Sequence, residues 1–264
     1  MSKVKFTKPP LQQVAFAVEF QELVDFSSVH FGLYWETIKD RFPETFDEYP
    51  IFDENEESSL PPLRRVIFMS ENTSKAIHLQ NNGFAYNWKK TNQIQYSNFE
   101  TLFEEFEQEW QLFREWWTNL NPNKLDYQLV QDLNYRIHYV NLIDQNSGWL
   151  DSNNYSDVFS FLSKKLNKNF KFPEVFQSKL SFKMPNDLGV LEVLIQQLTK
   201  IKSEDDENDE NEVDIVLFIL QASSEGIIEF DLETWFKSAH EYILECFLNL
   251  TQDTVQEKWG MYYE

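Results

Sequence analysis

Large apolar side chains fall at every second position in Val14-Ala15-Phe16-Ala17-Val18-Glu19-Phe20, the period of a half-buried strand. Beyond this segment the period lengthens. Val29, Leu33, Ile38 and Phe42 approximate one helical face, which predicts a helix over 28–42 stopped by Pro43. A polar stretch from Asp53 to Ser59 reads as a loop. Three short strands are then predicted, near 64–69, 75–80 and 84–89. Asn81-Asn82-Gly83 marks the last turn, because an Asn-Gly pair supplies the positive φ of tight hairpins.

The clearest element is a helix over 98–119. Phe99, Leu102, Phe103, Phe106, Trp110, Phe113 and Trp117 recur at gaps of three and four. Glu100, Glu104, Glu107 and Glu115 fall on the solvated side. Ser97 and Glu100 have the spacing of a capping box. Strict alternation returns over 133–141, with Tyr135, Ile137 and Tyr139 facing the core and Arg136 and His138 facing away. Asn141 falls on the apolar side, where it requires a hydrogen-bond partner.

The remainder repeats this arrangement in pattern, without repeating residues. A helix is predicted near 155–166, strands near 178–184, 190–201 and 213–222, and a helix over 232–250 with Asp231 as N-cap. A short helix follows Thr251. The polar stretch from Asp144 to Asn154 divides two pattern-related halves, 1–146 and 147–264, as two domains or as one continuous domain. The expected fold is α+β, with antiparallel sheets covered by two long amphipathic helices.

Charge narrows the partners. Forty-four acidic residues against 23 basic ones leave a net charge of −21. That field repels nucleic-acid backbones and anionic membranes and favours a basic protein. The aromatic wealth, 16% of residues, would suit base stacking only beside a basic groove, so it is assigned to the core. No 18-residue apolar run occurs, and the first residues lack the apolar segment of a signal peptide. With one cysteine, Cys246, no internal disulfide forms, and a reducing, cytoplasmic setting is expected.

Catalytic signatures fail on inspection. His240-Glu241 opens like a zinc-protease motif, but position 244 is Leu where the second histidine belongs. The acidic run from Glu204 to Glu212 resembles a calcium loop in composition only; counted from Asp205, the glycine position holds Glu210. It is read as a solvated loop. No phosphate-binding glycine loop or nucleophile elbow is present, and neither metal nor cofactor is expected. One constellation remains. His78, Asn87, Arg136 and His138 share a sheet face if the predicted strands pair, making a polar pocket for a small ligand.

Four separated segments carry a resemblance: Val29 to Glu36, Phe84 to Lys90, Tyr139-Val140-Asn141, and Ala239 to Gly260. Together they resemble a sporadically distributed bacterial family of uncharacterised proteins of similar length. The resemblance singles out His30, Asn87, Trp88, Asn141 and His240, and brings no chemistry with it. Patchy distribution implies mobile genetic islands, hence defence, antitoxin or immunity roles. The expected function is therefore binding: a non-enzymatic intracellular accessory protein that holds a basic partner protein. The alternative is a sensor or enzyme using the polar sheet pocket.

Overall fold

The structure, a computed structural model, describes residues 4–49, 63–120, 129, 132–149, 155–162, 176–200, 213–224 and 231–264. The polar stretch 53–59 and the acidic run 204–212 lie outside the described residues, as does the predicted helix beyond 162. The elements are β1 (Val4–Phe6), β2 (Leu11–Glu19), α1 (Ser28–Ile38), β3 (Glu44–Glu48), β4 (Arg65–Met69), β5 (Lys75–Gln80), β6 (Gly83–Lys89) and α2 (Phe99–Leu120). There follow β7 (Asn134–Ile143), α3 (Tyr155–Val158), β8 (Gln177–Lys183), β9 (Val190–Lys200), β10 (Val213–Ser223), α4 (Leu232–Leu250), α5 (Asp253–Lys258) and β11 (Met261–Tyr263). The fold is α+β with antiparallel strand pairing.

The chain divides into two compact units that do not follow the sequential halves 1–146 and 147–264. One, the α2 unit, comprises residues 13–137 and 223–236; the other, the terminal unit, comprises 1–12, 138–222 and 237–264. The division falls inside β7, between Ile137 and His138.

In the α2 unit the strand order is β3-β4-β5-β6-β2, with residues 134–137 of β7 beside β2. Alternation sorts the side chains. Val14, Phe16 and Val18 of β2, Phe84, Tyr86 and Trp88 of β6, and Ile77 and Leu79 of β5 are buried. Phe16 meets Phe99, Phe103 and Phe106 of α2 at ring-centroid distances of 5.9, 6.0 and 5.3 Å. Phe84 meets Trp110 and Phe113, each at 5.5 Å. All seven apolar residues predicted for the α2 stripe are buried. Each large ring removes enough apolar surface from water to contribute on the order of 2–3 kcal/mol, so this layer holds the unit together.

In the terminal unit residues 138–143 of β7 lead the order β7-β10-β9-β8. Phe247 of α4 stacks on Phe218 of β10 at 5.6 Å. The buried Asn141 donates from Nδ2 to the Phe218 carbonyl at 3.1 Å, the partner its position required. β1 and β11 pair antiparallel and bring the two chain ends together, Val4 opposite Tyr263. Gly260, just before β11, has φ +72°, and a Cβ there would lie 1.9 Å from Thr7 Oγ1.

Several details differ from the expectations. α1 buries Phe31, Tyr34 and Ile38, while Val29 and Leu33 are 65% and 45% exposed. The aromatic stripe packs because it carries the larger area: Tyr34 meets Phe68 at 5.9 Å and Phe113 at 5.4 Å. α2 begins at Phe99 and is capped by Asn98, whose Oδ1 accepts the Thr101 N–H at 2.7 Å, one residue later than the expected cap Ser97. At α1 the N-cap is Ser27, and its backbone N–H donates to Nδ1 of His30 at 2.9 Å. The β5–β6 turn is Asn81-Asn82 without positive φ, which falls instead at Thr73 in the β4–β5 turn. β1, β3 and β11 have no counterpart in the sequence reading. Asp231 caps α4 as predicted, accepting the Thr234 N–H at 2.9 Å.

Candidate functional site

The face of the α2-unit sheet away from α2 carries the polar constellation. Its rows follow from the register. Ile67 of β4, His78 of β5, Ala85 of β6 and Ala17 of β2 lie side by side. The next row runs Met69, Ala76, Asn87 and Ala15. His78 and Asn87 are thus diagonal neighbours across a hairpin, within reach of each other. Asn87 Nδ2 is placed 2.7 Å from His78 Nε2. On the other side of the ring, Arg65 Nη1 lies 3.3 Å from Nδ1.

These contacts fix the protons. Burial pushes the His78 imidazole down to about 4, with the Arg65 charge acting the same way, so the ring is neutral at pH 7. A guanidinium can only donate, so Nδ1 accepts and Nε2 carries the hydrogen. Nε2–H in turn needs an acceptor. The Asn87 amide is therefore assigned with Oδ1 toward the ring and its NH2 outward, since the two orientations differ only in which atom is named nitrogen. The outer amide atom has no hydrogen-bond partner and is shielded from water.

Arginines stand at both sides. Arg65 pairs through Nη2 with Glu48, its register partner on β3. Arg136 pairs through Nη2 with Glu19 Oε1 at 2.6 Å. Both guanidinium charges are thus compensated, and both Nε atoms are buried without a partner. Beside His78 and Asn87 in their rows lie small side chains, Ala85, Ala17 and Ala15. Of the expected site residues, the structure brings His78 and Asn87 together and places Arg136 on the same face, beside Glu19. His138 belongs to the terminal unit. Arg65 falls in the strand predicted near 64–69 but was not singled out; the β4–β5 register, Ile67 opposite His78, brings it to the ring.

The resemblance positions have local structural tasks. His30 caps α1. Trp88 is buried against Tyr96, with centroids 5.5 Å apart. In the terminal unit the Tyr139 hydroxyl lies 2.8 Å from His240 Nδ1, and the rings stack at 5.8 Å. Burial, reinforced by Glu245, pushes the Cys246 thiol up to about 11, which leaves it protonated and unreactive. Among the described residues no group of three or more His, Cys, Asp or Glu side chains could hold a metal ion.

A second feature of the α2 unit is a groove of about 600 Å³ between α1 and β3–β4. Phe31, Gly32 and Trp35 line it from α1, and Phe46, Asp47 and Arg64 line it from the other side. A Cβ built on Gly32 meets nothing within 4 Å. β3 ends the strand order, and all five of its residues are exposed. No protein family, curated protein or solved structure matches the chain.

Proposed function

We propose that this chain is a non-enzymatic binder of another protein, working inside the cell as an accessory of the antitoxin or immunity kind. The observation that supports it is the groove beside an unshared sheet edge. β3 hydrogen-bonds to β4 alone among the described residues, and such an edge is a template for an added strand. Three of its five residues, Glu44, Asp47 and Glu48, are acidic, the last two in partly exposed pairs with Arg64 and Arg65. Its Phe46 is 49% exposed and lines the groove together with Phe31 and Trp35 of α1. An extended basic segment would add its backbone to β3 and place an apolar side chain in the groove. The net charge of −21 would speed its approach. No helix among the described residues is long and apolar enough to cross a membrane.

The test is co-purification from the native host, followed by co-expression with the products of neighbouring genes. A stable complex with a basic protein, weakened by salt, is expected. A chain that remains alone in both experiments overturns the reading.

A further inference from the structure

β8 ends the strand order in the terminal unit, as β3 does in the α2 unit, and among the described residues it hydrogen-bonds to β9 alone. The two edges differ in charge. β3 carries Glu44, Asp47 and Glu48 and no basic residue; β8 carries Lys179 and Lys183 and no acidic one. Register sorts their faces. Ser178, Leu180 and Phe182 pair with Ile195, Val193 and Leu191, which are fully buried, so they sit at the rim of the core. Lys179, Ser181 and Lys183 point to the other face, where they are exposed. On β3, Thr45 and Asp47 pair with the buried Phe68 and Val66 and line the groove, whereas Glu44 and Glu48 lie on the other face.

We propose that β3 takes β8 of a second copy, so that the chain associates head to tail with itself. The inference rests on the reading of β3 as an edge open to an added strand, and it names an extended basic segment that fits. Spacing carries it. Lys179 and Lys183 are four residues apart on one face, and so are Glu44 and Glu48. Setting both lysines beside both glutamates, in either strand direction, turns Leu180 and Phe182 to the groove side as the apolar side chains it receives. Cross-strand pairs of opposite charge favour this match, and like charges oppose β3 on β3 or β8 on β8. The pairs these groups already make compete weakly. Lys179 is 64% exposed in its pair with Glu192, and Glu48 is 47% exposed in its pair with Arg65; pairs so open to water contribute little. The net charge of −21 opposes the approach of two copies. At physiological ionic strength that repulsion is screened beyond about 8 Å, while contacts within the ladder persist. A basic partner protein and β8 then compete for the same edge.

The experiment is sedimentation velocity of the full chain at rising concentration and physiological ionic strength. Two double variants of exposed residues accompany it, Lys179→Glu with Lys183→Glu and Glu44→Lys with Glu48→Lys. Wild type is expected to form species heavier than the monomer as concentration rises, and each variant alone to associate at least about tenfold more weakly. Mixing the two variants sets opposite charges against each other again and should restore association. A wild type that stays monomeric throughout, association that neither variant weakens, or a mixture that does not associate would each overturn the proposal. A monomeric chain that still recovers a basic protein in co-purification would reject β8 as the occupant and leave the groove reading intact.

Discussion

Nη1 of Arg65 sits 3.3 Å from Nδ1 of His78, and the two residues are one diagonal step apart on neighbouring strands. A permanent cation held against an imidazole keeps that imidazole neutral. Burial is the larger cause, and together they lower His78 from its ordinary 6.5 to about 4. The unfolded chain therefore binds the extra proton between these values while the folded chain does not. Stability contributed by His78 is full above pH 6.5 and is lost as pH falls toward 4, by up to about 3 kcal/mol. Urea unfolding of wild type and His78→Gln across this window should give converging stabilities at low pH. Parallel curves would show that His78 is not held neutral.

Two buried tyrosines should respond oppositely to loss of the hydroxyl. Tyr86 donates to Glu105 Oε2 at 2.6 Å, and the same carboxylate accepts from Lys75 Nζ at 2.7 Å. The Tyr34 hydroxyl is buried without a partner. Tyr86→Phe is expected to cost about 1–2 kcal/mol, and Tyr34→Phe to be neutral or stabilising by up to about 1 kcal/mol. Chemical denaturation of the two variants provides the comparison, and equal losses would contradict it.

Gly260 joins the C-terminal strand to the N-terminal one. With φ +72° and Thr7 Oγ1 in the space a Cβ would occupy, Gly260→Ala should lose about 3 kcal/mol. Adding Thr7→Gly should relieve the overlap but not the backbone strain, so recovery is partial. Thermal unfolding of the single and double variants separates the two contributions. A single variant as stable as wild type would refute the close approach.

Gly32 presents the reverse case. It sits inside α1 with open space over its Cα. Gly32→Ala should raise stability by roughly 0.5–1 kcal/mol by restricting the unfolded chain. A loss measured by the same denaturation would mean that the position is crowded.

Legibility in the sequence followed burial. α2 and β7 each present one buried face, so their periods were plain and their core residues correctly read. β1, β3 and β11 are short, and β3 is exposed throughout; with nothing to bury, such strands leave no periodic trace. α1 carries two interleaved stripes, and choosing between Val29–Leu33 and Phe31–Tyr34 required knowing which one Phe68 and Phe113 would meet. His78 and Asn87 could be placed together because a short turn fixes their register. Arg65 shares such a short turn with His78 through β4 and β5, but a long arginine side chain on a strand gives no sign of which neighbour it will meet. Nor could the division inside β7 be seen, because the strand alternates without interruption through Ile137 and His138.

If the groove beside β3 holds a basic partner protein, its exposed lining governs the affinity. Phe46 lines the groove and is exposed, so Phe46→Glu and Phe46→Ala should leave the fold's stability within about 0.5 kcal/mol of wild type. The decisive measurement is the dissociation constant of the co-purified complex with wild type and with each variant, by titration calorimetry at low salt. Both variants are expected to bind at least about tenfold more weakly, in line with the loss of a buried apolar contact. Unchanged affinity in both would place the partner elsewhere and contradict it.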